Sequence, residues 1–145
     1  MFFHYRQNNS GGWFKVDSDA GISVNVIVEA DSSYKANWRA QDIGLYFNGV
    51  DNDRDCECCG DRWDSVWDSS DGDEVPSIYG RPVHDPKALI GSRWANGQPE
   101  GFIHYADGSM EAIWADPEQD DPEGYWGEYD TRVTPWPLVE DQIAA

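Results

Sequence analysis

The stretch "GISVNVIVEADSSYKANWRAQDIG", residues 21–44, decides the fold. Its first ten residues alternate, with Ile22, Val24, Val26 and Val28 on one face, the period of a strand that rests one side on a core. The period then changes. Asp31 or Ser32 can cap the first amides of a helix over 31–43. Ala36, Ala40 and Ile43 recur at i, i+4 and i+7, a narrow apolar stripe suited to lying on a sheet. Gly44 stands where such a helix would end. A strand feeding a small-faced helix points to an α+β domain.

On the N-terminal side, "FFHYR" (2–6) reads as a strand and "QNNSGG" as a turn rich in residues that tolerate positive φ. "WFKVD" (13–17) then reads as the return strand of a β-hairpin. On the C-terminal side, "LYFNGV" (45–50) reads as a short strand. In "GFIHYADGSMEAIW" (101–114), Asp107-Gly108 sets a hairpin turn between two apolar runs. The expected architecture is an antiparallel sheet of about five or six strands, a meander at its start, with one main helix and long acidic loops. All of 1–145 forms one domain: hairpin, strand and helix over 1–50, an acidic cysteine-containing loop region over 51–85, and a second hairpin with an irregular acidic tail over 86–145. Trp63 and Trp67, four apart, fit one helical turn in the middle region.

Composition bounds the chemistry. Eight Trp, seven Tyr and five Phe in 145 residues are too many for a disordered chain, which lacks the apolar area to offset ordering entropy. The formal net charge of -18 is concentrated: residues 51–85 carry eleven acids against three bases, and 111–130 carry eight acids and no base. Such a field repels nucleic acid and anionic membranes and attracts basic proteins or cations. The bland reading is a solubilising surface. "MFFHYRQNNSGG" has no basic region followed by an apolar run, and nowhere is there an apolar stretch long enough to span a bilayer. A reducing intracellular location is the expectation, with the cysteines as thiols or metal ligands.

All three cysteines fall in "DCECCGDRW" (55–63). Cys56 and Cys59 have C-x-x-C spacing and Gly60 follows, the shape of a zinc knuckle. Cys58 is a third candidate ligand and His84 in "PVHDP" a fourth, with zinc as the implied ion; His4 and His104 lie on strands. The alternatives are reduced thiols packed under tryptophans, or redox chemistry. Asp55, Glu57 and Asp61 argue against redox, since nearby negative charge disfavours a reactive thiolate. "DNDRDCECCGDR" begins with Asp51, Asp53 and Asp55 at calcium-loop spacing, but Cys56 stands where glycine is needed and Arg62 where a bidentate Glu is needed. No G-x-S-x-G, phosphate loop or H-E-x-x-H occurs, so an enzyme is not expected. On the helix, Tyr34 and Trp38 lie four apart, opposite the alanine stripe. They are either covered or paired at the surface, or they form a contact patch with Arg39 beside them.

"FFHYRQNNSGGWF", "GISVNVIVEAD", "IGLYFNGV", "DCECCGDRW" with "VPSIYG", and the later "HYADG" together resemble a family of small, uncharacterised proteins encoded by tailed bacteriophages. The resemblance implies a protein working in the cytoplasm of an infected bacterium and supplies no catalytic residue. The expected function is binding: a phage accessory factor that engages a basic host or defence protein, as a nucleic-acid mimic, without itself contacting nucleic acid or membrane. A binder or sponge for a small anionic ligand such as a signalling nucleotide is the second reading, and a metal-dependent enzyme the third.

Overall fold

A computed structural model describes residues 1–85 and 98–114. The acidic stretch from 115 and the tail, on which several of the expectations above fall, lie outside these residues. Strand β1 (Phe2–Arg6) pairs antiparallel with β2 (Asn25–Glu29), and β2 is followed by α1 (Ser33–Ile43). After the long acidic segment come a two-stranded hairpin, β3 (Ser77–Ile78) and β4 (Arg81–Pro82), and then β5 (Gly101–His104) and β6 (Met110–Ile113). The main sheet has the order β1-β2-β5-β6.

The class is α+β, as expected, but the sheet is neither wholly antiparallel nor as wide as expected. Among the described residues it has four strands, with β3 and β4 forming a separate pair, and β2 runs parallel to β5, Ile27 opposite Ile103. Both faces of the centre are therefore covered, which suits strands paired in parallel. On one face Phe3, Tyr5, Val26 and Val28 pack with Ala36 and Ala40 of α1, Leu45 and Trp63. On the other, Ile27, Ile103, Phe2 and Ile113 pack with Ile78, Val83 and Tyr105. Val24, Val26, Ile27 and Val28 are fully buried, each worth about 1.5–3 kcal/mol of transfer free energy.

The helix forms where its sequence signals fall. Ser32 Oγ accepts from Lys35 N (3.2 Å) as the N-cap. Gly44, at φ 130°, donates to the carbonyls of Ala40 and Gln41 and stops the helix. The β5–β6 turn is closed by Asp107, whose Oδ1 accepts from the Ser109 amide and hydroxyl, with Gly108 at φ 93°.

Three expected elements are absent. "WFKVD" is not a return strand, because β2 already takes the backbone of β1: Gln7 N donates to Val24 O. The Lys15 backbone pairs instead with the buried Gln7 side chain. Gln7 Nε2 donates to Lys15 O (2.9 Å), and Lys15 N donates to Gln7 Oε1 (2.6 Å). "LYFNGV" turns rather than extends, with Leu45 buried under α1 and Asn48 at φ 58°. No helical turn joins Trp63 to Trp67; Trp63 enters the core while Trp67 is 78% exposed.

Candidate metal centre

The cysteine loop is built by residues remote in sequence. Cys56 O accepts from both Cys59 N (3.1 Å) and Gly60 N (3.0 Å), so the chain doubles back; Gly60, at φ 84°, permits it. "NNS" of the N-terminal turn holds the loop from behind. Asn8 Nδ2 donates to Cys59 O (2.8 Å) and Asp61 O (3.1 Å), and Ser10 Oγ donates to Gly60 O (3.1 Å).

Beneath the loop lies a buried Arg62. Its Nη atoms donate to Gln7 Oε1 (2.8 Å), Trp13 O (3.0 Å) and Ser10 O (2.7 Å), and its guanidinium stacks on the Trp13 ring. Asp55 faces it at 4.0 Å, with side chains only 6% and 2% exposed for Arg62 and Asp55. That carboxylate accepts from Tyr46 OH and from Arg62 N, both at 2.8 Å. Burial and then the bond to Asp55 raise the Tyr46 pKa. Arg62 Nε has no hydrogen-bond partner among the described residues, so the pair is an electrostatic contact and the Nη bonds carry the geometry. "FFHYRQNNSGG" and "DCECCGDRW" thus form one unit.

On this support the Sγ atoms of Cys56, Cys58 and Cys59 lie within 4.8 Å of one another, all exposed and all free thiols. The Cys58 and Cys59 sulfurs are 3.5 Å apart. The hydrogen bonds from the Cys58 thiol and backbone pull Cys56 below the usual thiol range. The bonds to Cys56 and then Cys59 push Cys58 up to about 11. The cluster can hold a metal ion, and thiolate donors of this kind select soft or borderline ions.

His84 is not in that group. Its Nε2 lies 2.9 Å from Glu111 Oε2 on β6, which sequence order alone did not reveal. The other histidines are spoken for on the sheet: His4 Nε2 bonds Asn25 Oδ1 (2.8 Å) and His104 Nε2 bonds Gly21 O (2.8 Å).

Tyr34 and Trp38 are not covered among the described residues. They are 64% and 56% exposed and meet edge to face, centroids 6.4 Å apart. Arg39 does not join them as a free cation. It is half-buried and donates to Glu29 O and Tyr105 O, tying α1 to β2 and to the β5–β6 turn. Sequence reasoning missed Asn37, which clamps the backbone of Val66 through both amide atoms (3.0 Å each) and accepts from Tyr5 OH. It also missed Gln7, Asn8 and Ser10, whose only signal was a polar run beside aromatic strands.

Two surface depressions are lined by Lys35, Trp38, Arg39, Asp42 and Ile43, and by Phe47, Asn48, Trp63, Asp64, Ser65 and Trp67; no cysteine lines either. Among the described residues no helix is long and apolar enough to cross a membrane. A family model described as a domain of unknown function matches residues 1–133. No curated protein and no solved structure matches the chain.

Proposed function

The chain belongs to the DUF7296 family, and from that premise we propose that it is a small acidic binding protein that docks on a basic surface of a host or defence protein. It acts as a phage accessory factor in the cytoplasm of the infected bacterium, occupying a groove made for nucleic acid. A zinc ion at Cys56, Cys58 and Cys59 pins the acidic loop.

One observation carries this reading: the acidic segment over 51–74 is folded, and most of its exposed carboxylates stand outside ion pairs among the described residues. Among the described residues, ion pairs join Lys35 to Asp31 and Arg62 to Asp55, and His84 pairs with Glu111 at 2.9 Å. The exposed carboxylates of Asp51, Asp53, Glu57, Asp64, Asp68 and Asp71 stand outside these pairs. Ser33 and Asn37 of α1 hold the backbone of Asp68 and Val66, so the carboxylates of that stretch are presented on a fixed frame. Fixed charges raise the encounter rate with a basic groove and reduce the ordering cost of binding. Tyr34 and Trp38 supply an apolar anchor of the kind found at binding hot spots.

The anionic-ligand reading needs free cations, and the described arginines are largely engaged within the fold. Arg39 and Arg62 bond carbonyls, and Arg54 lies over the Tyr46 ring. The test is capture from host lysate on the immobilised protein, followed by elution with duplex DNA and, separately, with rising salt. A partner released by both, and lost when Asp51, Asp53, Asp64 and Asp68 are changed to Asn, supports mimicry. Retention indifferent to DNA and to salt refutes it.

A further inference from the structure

The chain contains three cysteines and three histidines, and the structure places all six. The three imidazoles are bonded to Asn25, Gly21 and Glu111, away from the thiols. Among the described residues no carboxylate joins the sulfurs either. A tetrahedral ion with zinc–sulfur bonds of about 2.3 Å needs sulfur–sulfur edges of about 3.8 Å. The Cys58 and Cys59 sulfurs are already near that at 3.5 Å, and sulfurs within 4.8 Å reach it by side-chain adjustments of at most about 1 Å. The inner side of the loop is filled: Asn8 and Ser10 take the carbonyls of Cys59, Gly60 and Asp61, and Arg62 lies below. Among the described residues, then, none supplies a fourth ligand, and the outer side of the loop faces solvent.

We propose that Cys56, Cys58 and Cys59 hold a tetrahedral divalent ion whose fourth position stays open to an external imidazole, a histidine of the bound protein. This rests on the reading of the triad as a zinc site and makes the ion a contact with the partner. Charge favours a neutral donor. Three thiolates and a divalent cation leave one net negative charge, and Glu57 and Asp61 lie beside them in sequence, so an imidazole completes the site without adding to that charge, as a carboxylate or a fourth thiolate would. A three-ligand zinc site with an exchangeable fourth position is a known alternative to the closed structural kind.

Cobalt(II) in place of zinc in the full chain makes the coordination visible. The expected result is thiolate-to-cobalt charge transfer with tetrahedral d–d bands, shifted by imidazole to saturation at one equivalent bound, and unmoved by acetate at the same concentration. Cys58→Ser should cut the charge-transfer intensity by about a third, in proportion to the thiolates lost. His84 is the control: His84→Gln should leave both the spectrum and its imidazole response unchanged. Normal cobalt bands indifferent to imidazole would overturn the open position while leaving the metal site standing. A spectrum altered by His84→Gln would do the same, by making His84 the fourth ligand. No cobalt spectrum, with all three thiols still reactive, would overturn the metal reading itself.

Discussion

Replacing Arg62 with Met removes the support on which the cysteine loop rests while keeping much of the aliphatic stem. Three acceptors, Gln7 Oε1, Ser10 O and Trp13 O, lose charge-assisted donors. Asp55, its side chain 2% exposed, keeps Tyr46 OH and a backbone amide but loses its counter-charge. Removing one member of a buried pair costs about 3–5 kcal/mol, because the remaining charge is uncompensated. The Nε–Oδ1 separation of 4.0 Å and the orphaned Nε place the pair's own contribution at the low end, and the three Nη bonds bring the total back into that range. At about 1.4 kcal/mol per decade, the unfolding constant rises by about two to three and a half decades. Urea denaturation of the metal-free protein reads this as a lower midpoint with an unchanged slope. Adding Asp55→Asn to Arg62→Met should recover part of the loss by removing the stranded charge. A loss within about 0.5 kcal/mol, the size expected for the exposed Arg81→Met, would refute the view that Arg62 holds the loop.

Burial lowers His4 and His104 below 6.5 in the fold, so below that pH the unfolded chain takes up protons that the folded protein refuses. Their contribution to stability is complete above pH 6.5 and is lost as pH falls toward the folded values. The melting temperature should drop as pH falls below 6.5, and removing both imidazoles (His4→Phe with His104→Phe) should flatten that slope; a rise instead would contradict the assignment. Ile27→Ala empties a fully buried site between β1 and β5 and should cost about 2–5 kcal/mol by denaturation. Trp38→Ala, at an exposed position, should change stability by under about 0.5 kcal/mol. It should nevertheless weaken partner binding at least about tenfold by calorimetry.

Where structure follows local pattern, the sequence is a good guide. The alternation of Val24, Val26 and Val28, the alanines of α1 and the Asp107-Gly108 turn each specify an element within a few residues. What the pattern does not carry is which strand lies beside which. "WFKVD" has a strand's composition, but the backbone it would pair with is taken by β2, and a side chain, Gln7, substitutes for a strand edge. The parallel pairing of Ile27 with Ile103 depends on residues far apart in the chain. At the site, the thiols were legible from spacing and their separation from His84 was not, because Glu111 comes from a different hairpin. The buried Arg62 was invisible for a simple reason: an arginine in an acidic loop reads as surface until something covers it.

The parallel pairing of β2 with β5 has a consequence for folding and for change over generations. Joining Asn25 to Gly101 closes about four times as much chain as joining Arg6 to Asn25. Closure entropy grows only with the logarithm of length, so the longer connection costs about 1.2 kcal/mol more than the shorter one. The early unit of β1, β2 and α1 can assemble from neighbours in sequence, with β5 and β6 arriving as a finished hairpin. The crossover between them is thermodynamically cheap in length, and it is tied to the frame at separate points, among them Arg62, Trp63 and the Val66 backbone. Insertions and deletions in the exposed turns between such points leave the pairing of the strands nearly untouched. A protein built this way can alter what it displays to a partner much faster than it alters its frame.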